Sequence, residues 1–339
     1  MRKGLTVFSA AAATAAIALL CACSSGGSQG ANSTLPSSGI SQSHVGADLS
    51  RSGIAPKFLS LEILKSLGHG VNPDRRKKKG PKDLFVDDVG TNAVEILKNT
   101  TWTNIGSISS GIDHPEGNWV DAKGNLYVAN FTGQDITEYY PGKSIPKYTY
   151  TGVSEPVAVT TDSHGNVYEG DFEGYVTEFH QGSSTIIARC TTGGDVWGVA
   201  VNKATDVFVV YWNGSFGKIT EYSGGLSGCS GTVLGATVAI PGGMVLDKNS
   251  NLVICDQDAE TVDIIKPPYS RISGTLGSGY SDPTTVTINK TNTQAYVANY
   301  GGKDVLILSY PDGSNIATLN YANGLSSPWS AVDGLNYNP

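Results

Sequence analysis

A block of just over forty residues recurs from His114 to the end of the chain, and this period restricts the fold more than any other feature. The copies begin at His114-Pro115, Glu155-Pro156, Asp195-Val196, Ile240-Pro241, Asp282-Pro283 and Ser327-Pro328, with second residues 41, 40, 45, 42 and 45 apart. Each opens with a short apolar strand that ends near Asp121, Asp162, Asn202, Asp247 or Asn289; the last, around Asp333, is looser. A polar turn follows, such as AKGN at 122–125, SHGN at 163–166 or KNSN at 248–251. Second strands then end at Asn130, Asp171, Tyr211, Asp256 and Asn299, and third strands run through DITEY (135–139), YVTEF (175–179), KITEY (218–222), TVDII (261–265) and DVLIL (304–308). Outer fourth strands fit 147–151, 185–190, 231–238, 271–276 and 315–321.

Five copies are complete, and the sixth runs out after one strand. The missing strands lie at the other end of the domain. Residues 83–97 (DLFVDDVGTNAVEIL) match second and third strands, as comparison with NLYVANFTGQDITEY shows, and 101–108 fits a fourth. One C-terminal strand and three N-terminal strands therefore make the last blade, which closes a ring of sheets without an additional element. The expected fold is all-β, a six-bladed β-propeller of four-stranded antiparallel blades over 83–339. The 42 glycines and 2 methionines suit such a turn-rich chain. A net charge of −7 argues against a nucleic-acid partner.

The stretch VDAKGNLYVANFTGQDITEY (120–139) resembles the NHL-repeat consensus, in which an Asp-turn-Gly-Asn corner precedes an aromatic strand ending in Ala-Asp or Ala-Asn. The resemblance extends over 83–339 and is weakest in the third copy, where Tyr211 stands at the strand end. The same fold neighbourhood includes the SMP-30/gluconolactonase-like enzymes and the virginiamycin B lyase-like propellers. Fold alone brings no activity with it.

Before the propeller, Arg2 and Lys3 precede an apolar run from Leu5 to Leu20, too short to span a bilayer comfortably and placed as a signal peptide's hydrophobic region. Leu20-Cys21-Ala22-Cys23 resembles a lipobox, with Cys23 the residue to be lipidated and 1–22 the cleaved signal. An ordinary secretory cleavage near Ala22 is the alternative. The implied location is exported and lipid-anchored to a bacterial membrane, periplasmic or facing outward. Residues 23–82 read as a tether, polar up to about residue 50. Within it, Phe58, Leu61, Leu64 and Leu67 have helical spacing, and Arg75–Lys79 is a basic run, solvated or in contact with anionic headgroups. Cys190 and Cys229 fall in the outer edges of consecutive blades, where a disulfide can form, and Cys255 is left as a buried thiol.

Inner-strand starts and second-strand ends share one face of a propeller, because the two strands are antiparallel. The ligand candidates on that face are His114, Glu116, Glu155, Asp195, Trp197, Asp282 and Trp329. Asp88, Asn130, Asp171, Asp256 and Asn299 recur at one position and are expected to hold corners together. Rim tryptophans suit sugars or flat apolar faces, and packing between blades explains them equally well. Glu116, Glu155 and Asp282 supply the oxygen ligands that calcium or magnesium takes, a set similar to the channel-mouth carboxylates of SMP-30-like lactonases. The leading expectation is a monomeric, non-catalytic module that binds a protein, peptide or glycan. The alternative is a divalent-metal-dependent lactonase, hydrolase or lyase, and a third is a purely structural envelope role.

Overall fold

The computed structural model describes residues 83–334, which form six sheets of four antiparallel strands. The expected signal peptide, the lipidated Cys23, the tether with its helical spacing and the basic run all lie outside the described residues. Blade one comprises β4 (Pro115–Val120), β5 (Leu126–Asn130), β6 (Asp135–Tyr139) and β7 (Tyr148–Thr151). Blade two comprises β8 (Pro156–Thr161), β9 (Val167–Asp171), β10 (Tyr175–Phe179) and β11 (Ile186–Thr191). Blade three is β12 (Asp195–Val201), β13 (Val207–Trp212), β14 (Gly217–Tyr222) and β15 (Thr232–Val238). Blade four is β16 (Pro241–Leu246), β17 (Leu252–Asp256), β18 (Thr261–Ile265) and β19 (Gly274–Thr275). Blade five is β20 (Pro283–Ile288), β21 (Gln294–Asn299), β22 (Asp304–Ser309) and β23 (Asn315–Leu319).

Blade six joins the two ends of the described segment. Its order is β24 (Pro328–Asp333), β1 (Asp83–Asp88), β2 (Ala93–Lys98) and β3 (Thr103–Ile108). Leu84 pairs with Asp333, Phe85 with Val332 and Val86 with Ala331. The six-bladed propeller and its closure are therefore as the repeat implies.

The core lies between blades. Second strands alternate side chains toward one neighbouring blade and then the other, so both faces must be apolar. Tyr127, Tyr168 and Tyr296 occupy one repeat position and are fully buried, as is Phe208 at the same place in blade three. Near the axis the inner strands converge, and small residues are needed there. A Cβ added at Gly117 would overlap the Val157 carbonyl of the next blade, and one at Gly198 would lie 2.8 Å from Met244 N.

Two local departures have physical causes. The outer strand of blade four shrinks to Gly274–Thr275 from the expected 271–276. Ser273 N still donates to Ile264 O at 2.7 Å and Leu276 N to Val262 O at 2.8 Å, while ahead of the strand Tyr269 turns aside onto blade three. There its carbonyl accepts from Ala236 N at 3.0 Å and its ring meets Phe208 edge-on at 5.3 Å. In blade three, where Tyr211 replaces the corner Asp or Asn, Asn213 takes over by accepting from Ser215 N and Phe216 N, each at 3.1 Å.

Cys190 of β11 and Cys229 form a disulfide across the outer edges of blades two and three. Cys255 is a buried free thiol. The bridge spans 39 residues, and closing a loop of that size stabilises by about 4 kcal/mol in the chain-entropy picture. Cys229→Ser is accordingly expected to lower the unfolding free energy by about 3–4 kcal/mol in denaturant titration; a change below about 1 kcal/mol would show that the bridge does not constrain the unfolded chain.

Candidate functional site

The face where inner strands start, here the upper face, carries all seven ligand candidates. Each inner strand has a register irregularity at its second residue, between Pro115 and Gly117 in blade one and at the matching place in the other five. A bulge re-aims the extra side chain. The residues so placed are Glu116, Val157, Trp197, Thr284 and Trp329, with the Gly242-Gly243 pair in blade four. Proline at the strand start favours this, since it has no N–H to continue the ladder. Glu116, Trp197 and Trp329 thus share one structural position at the channel mouth.

The residue before the inner strand is also unusual. His114, Glu155 and Asp282 have φ of +58°, +51° and +53°, in the left-handed region. Each carbonyl accepts from the residue after the neighbouring second strand: Phe131 N to His114 O at 2.9 Å, Phe172 N to Glu155 O at 3.2 Å, Tyr300 N to Asp282 O at 3.1 Å. These links place an aromatic ring beside each. His114, Phe131, Phe172 and Trp197 form a continuous arc, with successive ring centroids 5.7, 5.7 and 4.7 Å apart. Tyr300 and Trp329 form a separate edge-on pair at 4.8 Å. All six rings are half-buried, so each keeps part of its surface exposed to solvent.

Carboxylates surround the rings. Glu116 is buried, with one oxygen 3.2 Å from His114 Nε2 and the other, Oε2, buried without a hydrogen-bond partner. The hydrogen bond to Glu116 raises the His114 pKa above its ordinary value, while burial raises that of Glu116. Beneath them, in the seam between blades one and six, Asn118 Nδ2 donates to Asp87 Oδ1 at 2.8 Å and Ser330 Oγ donates to Asn118 Oδ1 at 3.0 Å. Burial, reinforced by the nearby charges of Asp88 and Glu116, holds Asp87 well above the usual carboxylate range. Asp195 and Asp282 are also raised, first by burial and then by the charges of Glu173 and Glu260.

The recurring Asp and Asn residues at the strand ends are corner pieces. Asp88 accepts from Gly90, Thr91 and Ser327 backbone N–H groups at 3.0, 3.2 and 2.9 Å. Asn130 accepts from Asp113 N at 3.1 Å and donates to Gly111 O at 3.1 Å, and Asp256 accepts from Ala239, Ile240 and Ala259. Glu116, Glu155 and Asp282 belong to blades one, two and five. Among the described residues no three His, Cys, Asp or Glu side chains are gathered closely enough to hold one metal ion.

The channel is nearly filled. Val159, Val199, Met244 and Val286 narrow it to a cavity of about 70 Å3, room for one or two waters. The larger recess, about 550 Å3, opens at the lower mouth and is lined by Trp119, Leu246, Lys203, Lys248 and Lys290 among others. Sequence reasoning overlooked this mouth and also the rings of Phe131, Phe172 and Tyr300. A signal for both was present. Aromatics follow the second strand in blades one, two, three and five, and Lys203, Lys248 and Lys290 each follow the Asp or Asn that ends an inner strand.

The geometry defines a six-bladed β-propeller with an aromatic and acidic upper mouth. No protein-family model matches the chain, and no curated protein matches it. Solved structures do. A protein of unknown function from Bacteroides caccae superposes with TM-score 0.60 at 13% identity, covering 75% of this chain and 99% of that one. A chain in the crystal structure of a nidogen/laminin complex superposes with TM-score 0.62 at 15% identity, covering 75% and 98%. At such identity the likeness shows the shared fold alone.

Proposed function

We propose that this protein is an exported, membrane-tethered propeller that works as a non-catalytic binding module, with its ligand held at the upper mouth. The arc of His114, Phe131, Phe172 and Trp197 carries the reading. Half-exposed rings beside carboxylates suit a protein or peptide segment that presents basic and flat apolar groups, through cation–π contact and ring stacking. Glu155, Glu173, Asp195, Glu260 and Asp282 make this face acidic, which steers a basic segment toward it. The nidogen/laminin structure shows this fold within a protein complex and so agrees with the reading. The NHL-repeat and SMP-30-like resemblance adds the same fold and no further support for catalysis.

The test is an array of basic, aromatic-containing peptides probed with the protein and followed by titration of the best binders. Phe172→Ala combined with Trp197→Ala is expected to weaken them by at least about tenfold, roughly 1.4 kcal/mol or more. Undiminished binding by a folded double variant would refute the upper-mouth assignment.

A further inference from the structure

We propose that the lower face of the propeller docks on an anionic lipid surface, with the ligand-binding upper face turned away from the membrane. The inference rests on the tethered reading above and gives it an orientation. It starts from a separation of charge built into the repeat. Turns from inner to second strands, and from third to outer strands, all lie on the lower face. The inner turns carry Lys203, Lys248 and Lys290, and the outer turns carry Lys143, Lys266 and Arg271, all six exposed. Carboxylates on this face are mostly turned inward. Asp121 and Asp247 are buried and accept from their own corners, with Asn125 Nδ2 and Asn251 Nδ2 each at 2.9 Å. Asp206 accepts from Asn202 Nδ2 and Gly224 N, each at 2.8 Å. Asp312 is the exposed exception. The exposed carboxylates Glu173, Asp258 and Glu260 sit on the opposite face.

A second observation points to a bilayer rather than a soluble anion. Tyr140, Ile145 and Ile272 are 53%, 73% and 40% exposed, and all three lie in the lower outer turns beside Lys143 and Arg271. An aromatic and two aliphatic side chains among lysines make the pattern of an interfacial membrane contact, in which apolar groups enter the headgroup region and cations meet its phosphates. The path of the chain agrees. β1 is a second strand, so Asp83 begins at the lower face, and the basic run Arg75–Lys79 ends only four residues before it. A span of that length reaches at most about 14 Å. The described chain therefore begins on the cationic side.

The experiment uses the chain from residue 23 onward with Cys23→Ser, so that neither the signal's apolar run nor an acyl group contributes, and measures co-sedimentation with vesicles. Binding is expected to vesicles of phosphatidylcholine mixed with phosphatidylglycerol and not to phosphatidylcholine alone, and to fall as salt rises from about 0.1 to 0.5 M. Reversing three charges in Lys203→Glu/Lys248→Glu/Lys266→Glu is expected to weaken it on the order of 100-fold. Ile145→Ser should weaken it further at unchanged charge. Equal binding by the charge-reversed protein with its circular dichroism intact would overturn the proposal, as would binding abolished by replacing Arg75–Lys79 alone. Mass spectrometry of Cys23 in the native chain reads the tether separately, so failure of lipidation and failure of docking give different results.

Discussion

A chain ended at Ser326, lacking β24, is expected to show no cooperative unfolding transition and little protection of its amides from exchange. The strand is short, but it is the inner strand of the blade that closes the ring. Ala331 is buried in one cluster with Leu84, Val86 and Tyr296 and Val332 in another with Phe85 and Val120, so Leu84 and Val86 lose their cover when β24 is removed. Neighbouring blades lose partners as well. Thr284 Oγ1 donates to Trp329 O at 2.7 Å and Thr287 Oγ1 to Ala331 O at 2.6 Å, so hydroxyls of β20 would be stranded at the axis. Apolar burial and strand hydrogen bonds together amount to roughly 10 kcal/mol, comparable with the whole stability of a typical domain. Circular dichroism through a thermal ramp checks this. A truncated chain that melts cooperatively within a few degrees of the full one would mean that the ring does not depend on its seam.

Stability is also expected to increase as pH falls from about 7.5 to 5, contrary to the usual behaviour of ion-paired carboxylates. Asp171 is buried, and burial pushes its pKa up to about 6. An unfolded aspartate titrates near 3.9, so between these values the folded chain binds the additional proton. Unfolding free energy then falls as pH rises through this window. Asp87 and Glu169 act in the same direction, because burial holds both well above the usual range. So does His114, whose raised pKa contributes stability at low pH that is lost as it deprotonates. Melting temperature read across the range should therefore rise toward pH 5, and Glu169→Gln should raise it at pH 7.5 while flattening the slope. A melting temperature that falls between pH 7.5 and 5.5 would contradict the placement of these acids.

The repeat made the blades legible because period-two alternation and corner residues are local signals. Closure was legible because Asp83–Leu97 matches strands that the sixth copy lacks. Side-chain direction at the mouth was less accessible. Alternation alone would aim Glu116, Trp197 and Trp329 by parity, whereas the bulge after Pro115, Val196 and Pro328 sets their direction. Asp87 and Glu169 stand where other blades have Ala129 or Val128, and a polar residue in an apolar column is visible only once the register is known. The partition of charge between faces is visible in the repeat alignment, but it becomes physical only when the alternate turns are known to lie together.

The most direct test of that two-faced account is hydrogen–deuterium exchange on the full chain with the tightest peptide from the array. Protection is predicted in the upper turns, at residues 131–134, 172–174 and 195–198, with the lower turns at 122–125, 203–206 and 248–251 unchanged. Protection confined to the lower turns would place the ligand on the lysine face and contradict the account.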